Sequence, residues 1–405
     1  MTPGSAIMPL CVAVPLGGAF LTALLGRQIP RLPDLLGALA TLGALLLSVW
    51  SVHVVNVYGT VVYALGGWQP PIGIAMVLDG LTAFMLVTVN LIAFLVAVFS
   101  IDYMERFTDK WLFYTLFLLM VAGINGVVVT GDLFNLFVFL EVASVASYAL
   151  VAFGTEKQEL EAAFKYAVMG TVASLFVLLG IVLLYSHTST LNMADMAREL
   201  AHKGGGNVTL LVSVLFLMGF GLKAAVVPFH AWLPDAHPSA PAPISAMLSG
   251  VLIKALGVYA LCRVFYNVIG ITPEISSILM FLGVLSMIVG VFLAIGQWDL
   301  KRLLAYSSIS QIGYVILGIG LGTPLGIAGG LFHLFNHSVF KSLLFLDSGA
   351  VEYSTGTRDL KKMGGLAKKM PVTGATTLVG AISIAGIPPF SGFWSKLIII
   401  VAAVE

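Results

Sequence analysis

Long apolar runs separated by short polar stretches fill almost the whole chain. A helix crossing the hydrocarbon core needs about 20 apolar residues. Twelve segments reach that length, at 8–26, 33–57, 76–100, 111–131, 133–153, 163–185, 208–227, 241–266, 275–296, 302–322, 325–346 and 371–400. The pattern predicts an all-α polytopic membrane protein of about twelve transmembrane helices. No basic residue precedes the first run, and Arg27 and Arg31 follow it, so it reads as helix one rather than a cleaved signal peptide. Helices seven and twelve are expected to be broken, because Pro228-Phe229-His230-Ala231-Trp232 and Pro389-Phe390-Ser391-Gly392-Phe393-Trp394 interrupt their segments in matching ways. Paired broken helices are the mark of repeated transporter halves. The expected division is three N-terminal helices over 1–110, a first repeat over 111–266 (helices four to eight) and a second over 267–405 (helices nine to twelve).

The positive charges test the helix count, since one misplaced helix would swap the side of every later loop. With the N-terminus outside, inward loops hold Arg27, Arg31, Arg106, Lys110, Lys157, Lys165, Lys301, Arg302, Arg358, Lys361, Lys362, Lys368 and Lys369. Outward loops hold only Arg198, Lys203 and Arg263. That asymmetry is the positive-inside bias and supports both the count and an outside N-terminus.

Composition narrows the function. Hydrophobic residues make up 59% of the chain and charged residues 10%, with a mean hydropathy of +1.03, so lipid is the solvent for most of it. A net charge of +1 without a basic patch excludes nucleic acid as a partner. Cys11 and Cys262 stand far apart, each in an apolar stretch, without the spacing of a metal centre or iron–sulfur cluster. No cofactor or metal site is expected, and no nucleophile stands beside a base. The glycines around Gly204 and over 318–322 lack the context of a nucleotide-binding turn and are assigned to a loop and a helix interface.

Glu141, Lys223, Lys254, Lys341 and Lys396 fall inside apolar segments. A charge at the bilayer centre costs about 2.5–3.5 kcal/mol on insertion scales, so these residues must face one another, water or a helix break. Glu141 and Lys223 suit a pair in which each holds the other charged. The bland alternative is a static ion pair between two helices. Lys254 suits a relay, because a lysine taken out of water gives up its proton more readily. His230 can hand on protons near neutral pH, or can simply satisfy a carbonyl freed by Pro228. His333, His337 and Lys341 recur every fourth residue, so they share one slowly drifting helix face about 12 Å long. They have the form of a proton wire, against an inert histidine pair and a lysine that snorkels to the interface. Zinc would need a further ligand that nothing nearby supplies clearly. Lys396 is the candidate for the outward end. Asp79 and Asp132 are expected to cap helices, and His237, in a proline-rich re-entrant turn, to be structural.

Five stretches carry a family resemblance: Leu65-Gly-Gly-Trp68-Gln-Pro-Pro-Ile-Gly-Ile74, Gly131-Asp-Leu-Phe-Asn-Leu-Phe-Val-Phe-Leu-Glu141, Lys223 through Ser249, His333-Leu-Phe-Asn-His337-Ser-Val-Phe-Lys341-Ser-Leu-Leu-Phe345 and Gly386-Ile-Pro-Pro-Phe-Ser-Gly-Phe-Trp-Ser-Lys396. Together they resemble the antiporter-like membrane subunits of complex I, Mrp cation/proton antiporters and membrane-bound hydrogenases, with the Mrp D-type subunit nearest. The resemblance implies two inverted five-helix repeats. It also implies a Glu141–Lys223 pair, a central Lys254, histidines His333 and His337, and a terminal Lys396. Family members usually continue for two more helices, so the second repeat is expected to be incomplete at Glu405, with a partner or a longer chain supplying the rest.

The reading that follows is a subunit of a multisubunit complex in the energy-conserving cell membrane. It moves protons, or exchanges sodium for protons, along Glu141, Lys223, His230, Lys254, His333, His337, Lys341 and Lys396. Its partners are other membrane subunits and the lipid bilayer. A structural or assembly subunit with an idle path is the alternative, and a redox catalytic subunit lacks any cofactor motif.

Overall fold

A computed structural model describes residues 4–204 and 206–405. The chain is almost entirely helical, as the apolar pattern requires. Ten helices among the described residues are long and apolar enough to cross a membrane. They are α1 Ile7–Leu25, α2 Leu32–Tyr58, α3 Gly80–Tyr103 (with a short continuation to Arg106), α4 Lys110–Val129, α5 Leu133–Val151, α6 Lys157–Thr188, α8 Gly206–Lys223, α10 Ala242–Ile269, α11 Pro273–Ile295 and α12 Leu300–Gly320. The eleventh expected span is α13, Pro324–Thr355, whose 32 residues suffice in length although its polar face lowers its hydropathy. The twelfth is two half-helices, α14 Pro371–Ala385 and α15 Ser391–Val404. Both breaks fall where the prolines put them. After α8 the chain is irregular until the short α9, Leu233–Ser239, and Gly386, at a φ of 81° that favours glycine, ends α14.

Two elements depart from the expectation. The third span starts later than residue 76, because β2 (Ala75–Leu78) pairs antiparallel with β1 (Val61–Ala64), Val61 opposite Leu78. The extended backbone ends at Asp79, which caps α3 by accepting from the Thr82 N–H at 2.8 Å. The stretch after α6 also contains α7, Met193–Lys203, which buries Met193, Met196 and Leu200 on one face and leaves its charges outside.

The chain forms two compact units. The first holds residues 1–150, 167–220 and 255–270, with α1 packed on α2 and α4, and α2 on α3. The second holds residues 151–166, 221–254 and 271–405. There α12 packs on α11 and α13, and α13 on α14 and α15. Glycine lets α11 and α12 approach backbone to backbone: a Cβ on Gly283 would lie 2.9 Å from the Gly313 carbonyl oxygen, and one on Gly313 2.6 Å from that of Gly283. Small residues are what allow such approaches between membrane helices. Thr323 and Asp299 cap α13 and α12.

Candidate functional site

In the second unit, one helix gathers most of the predicted residues. Ser307, Ser308, Gln311 and Tyr314 of α12 are spaced to form a polar stripe. Lys254 lies in the part of α10 wound with the wider i→i+5 hydrogen bonding. Its side chain is fully buried, and its ammonium donates to the Ser249 carbonyl. The Ser249 hydroxyl meets the Ser308 hydroxyl at 2.7 Å. One residue back along the stripe, Ser307 accepts from the Lys341 ammonium at 2.5 Å. Lys341 is fully buried, so it does not snorkel to an interface.

The stripe continues to the histidines. Gln311 Oε1 lies 3.1 Å from His333 Nε2, and Ser395 Oγ of α15 lies 2.9 Å from Nδ1 of the same ring. The His337 ring stacks parallel to that of His333 and is fully buried. Neither of its nitrogens has a hydrogen-bond partner among the described residues. Tyr314 sits 5.6 Å from His333, centroid to centroid, and the Lys396 ammonium lies 4.7 Å above the same tyrosine ring. Lys396 also donates to the Ile384 carbonyl at 2.7 Å, close to where the twelfth span breaks. The break thus frees backbone acceptors, and the lysine uses one.

The remaining predicted residues have their own surroundings. Lys223, the last residue of α8, is buried in the second unit. His230 is half-buried in the irregular stretch after it, and its Nδ1 has no partner among the described residues. Glu141 belongs to the first unit, where the Ser174 hydroxyl of α6 donates to its carboxylate. His237 is fully buried and stacks on Phe345 at 4.7 Å, with both ring nitrogens lacking partners among the described residues. Gathered like this, buried amines, imidazoles and hydroxyls can pass protons. No three His, Cys, Asp or Glu side chains among the described residues come together to hold a metal ion.

Two basic residues expected in loops are inside helices instead. Arg263 lies in α10 with its side chain 9% exposed, paired at 2.6 and 2.7 Å with both oxygens of Asp79. It also donates to Tyr259 Oη at 2.9 Å and to Thr82 Oγ1 at 2.8 Å. Burial alone would push the Asp79 carboxyl up, but the guanidinium beside it and the capped N–H outweigh that and hold it below its ordinary value. Asp132 caps α5 through the Asn135 N–H at 2.8 Å, and burial raises its carboxyl. Lys301 is likewise buried, in the first turn of α12. Sequence reasoning missed it and the serine stripe alike. The available signal was the polar run Tyr306-Ser307-Ser308-Ile309-Ser310-Gln311 inside an otherwise apolar segment.

Comparison with known proteins finds relatives along almost the whole chain. Residues 130–405 match the family described as NADH:quinone oxidoreductase/Mrp antiporter, TM, and residues 69–114 the one described as NADH-ubiquinone oxidoreductase (complex I), chain 5 N-terminus. The D-type subunit of an Na(+)/H(+) antiporter from Alkalihalophilus pseudofirmus is 38% identical over 398 residues, 98% of this chain and 80% of that protein. The N-type subunit of an NADH-quinone oxidoreductase from Desulforudis audaxviator is 40% identical over 348 residues, 85% of this chain and 69% of that protein. Among solved structures, a chain of the Mrp complex from Dietzia sp. superposes with a TM-score of 0.93 at 34% identity, covering 100% of this chain and 75% of that one. A chain of the archaeal membrane-bound sulfane sulfur reductase gives 0.90 at 34% identity, covering 98% and 82%.

Proposed function

The chain belongs to the NADH:quinone oxidoreductase/Mrp antiporter transmembrane family, and from that premise we propose that it is a proton-translocating membrane subunit of a multisubunit energy-converting complex. Glu141 and Lys223 start the path, Lys254 is its centre, Lys341 and the two α13 histidines carry it on, and Lys396 ends it. His230 serves as a side acceptor beside the break. The observation that carries the reading is the α12 stripe. In a core that has no reason to keep hydroxyls and amides, these groups lie on one helix face and meet Ser249 beside Lys254, Lys341 and His333 at hydrogen-bond distance. Polar groups inside lipid are retained where they serve a path or one another.

The relatives named as Na(+)/H(+) antiporter subunits favour exchange of sodium for protons as the coupled form of this activity. The basic loops favour an outside N-terminus, with the start of α12 and the basic stretch 358–362 after α13 inside. The test uses the complex assembled with its partner subunits in sealed inverted vesicles. Glu141→Gln and Lys254→Ala should each abolish most proton movement while leaving assembly intact. Native rates in both variants would refute the path.

A further inference from the structure

Beside the basic stretch that follows α13 lies a cavity of about 360 Å³, within the size range of small-molecule pockets. Leu304 of α12 and Leu344 and Val351 of α13 help to wall it, with Thr373 from the start of α14. The segment joining α13 to α14 lines it as well, through Leu360, Met363, Leu366 and Met370, which recur every third or fourth residue. Among them stand Lys361, Lys362, Lys368 and Lys369, all exposed. The segment is therefore amphipathic, with its apolar side chains on the cavity and four ammonium groups in solvent.

The four lysines are not equivalent. Lys361 sits over the Trp298 ring at 4.6 Å, and Lys362 lies 3.7 Å from Asp359. The side chains of Lys368 and Lys369 pair with no carboxylate among the described residues. They fall between Leu366 and Met370, so two unpaired cations adjoin two side chains of the cavity wall. The positive-inside bias accounts for lysines in a loop, but not for an apolar cavity beside them. One carboxylate, Asp347, also lines the cavity, where the Thr376 and Thr377 hydroxyls donate to it at 3.1 and 3.0 Å. A phosphate placed inside would face this carboxylate. An anionic amphiphile is thereby oriented with its tail inward and its head on the lysines.

We propose that the cavity holds one acyl chain of an anionic phospholipid, whose phosphate is bound by Lys368 and Lys369 while Lys361 and Lys362 complete a basic rim. Clusters of four or more lysines beside a membrane helix recognise anionic headgroups, and basic pockets between helices hold them. A tail there packs carbon against the leucines and methionines of the walls. It ties α14, the first half of the broken span, to α12 and α13.

The test reads bound lipid rather than ion flux, so its outcome is separate from that of the translocation reading. The complex assembled with its partner subunits, in mild detergent, is mixed with phosphatidylglycerol carrying a photoreactive group at the end of one acyl chain. Labelled peptides are then identified by mass spectrometry. Label should fall around Leu344 and between Met363 and Met370, and unlabelled phosphatidylglycerol should compete about tenfold better than phosphatidylcholine of the same chains. Lys368→Gln combined with Lys369→Gln should weaken labelling about thirtyfold, the electrostatic share of two surface lysines. Gly364 lines the cavity at a point where an added Cβ meets nothing within 4 Å. Gly364→Phe should therefore lower the label with every charge kept. Label that phosphatidylcholine displaces equally well, and that the double lysine variant leaves unchanged, would mean ordinary bilayer lipid and would overturn the site. Native labelling in Gly364→Phe would put the chain outside the cavity and do the same. So would a native complex with no label on these stretches, since protein rather than lipid would then cover them.

Discussion

The rings of His333 and His337 lie 6.3 Å apart, centroid to centroid, with planes 7° from parallel. They stack one helical turn apart on α13, too far for a direct hydrogen bond and close enough for a water to bridge. His333 is held on both nitrogens, by Gln311 and Ser395, whereas His337 has no such partner among the described residues. A buried polar group of this kind normally binds ordered water. A high-resolution density map of the complex should show at least one water on the His337 ring. A dry ring packed only by carbon would break the path there.

Gln311 orients the His333 ring from α12. Gln311→Leu removes that bond without removing any titratable group, so assembly should be unchanged and proton flux should fall. Gln311→His should retain more flux than Gln311→Leu. Vesicle flux assays compare the two, and equal native rates would show that the ring needs no holding.

Asp79 and Arg263 form a buried ion pair between helix ends of the first unit, and they predict a stability effect rather than a transport one. Removing one partner of a buried pair costs about 3–5 kcal/mol, because the other charge is left without compensation. Asp79 is 26% exposed in its side chain, which puts Asp79→Asn at the lower end of that range. The variant should unfold at a lower temperature in detergent. The Asp79 carboxyl is held below its unfolded value, so this stabilisation is complete above about pH 4, the ordinary carboxylate value. It is lost as the pH falls through the lower folded value. The gap between native protein and Asp79→Asn should therefore close in acid, and a gap independent of pH would contradict the assignment.

The sequence made the helices legible because lipid imposes a length and a composition that few other structures share. Pro228 and Pro389 marked the breaks for the same reason, since a membrane helix without an N–H donor has few ways to continue. The costly charges at Lys254, Lys341 and Glu141 announced themselves against an apolar background. What stayed hidden was connection. Ser307, Ser308 and Gln311 are cheap to bury and common at helix interfaces, so only the geometry shows that they meet Lys341, Ser249 and His333. Lys301 and Arg263 sit near segment ends, where sequence cannot separate a loop charge from one folded inward. The hairpin of β1 and β2 was masked by residues 75–78, as apolar as the helix that follows.

The account depends on Lys254 shedding and regaining a proton inside the membrane. Lys254→Arg tests this most directly, because arginine keeps the positive charge and approximate size but stays protonated. Proton uptake by sealed inverted vesicles carrying the assembled complex should fall to less than about a tenth of the native rate. An arginine variant that assembles and pumps at the native rate would contradict the claim that this lysine carries the proton.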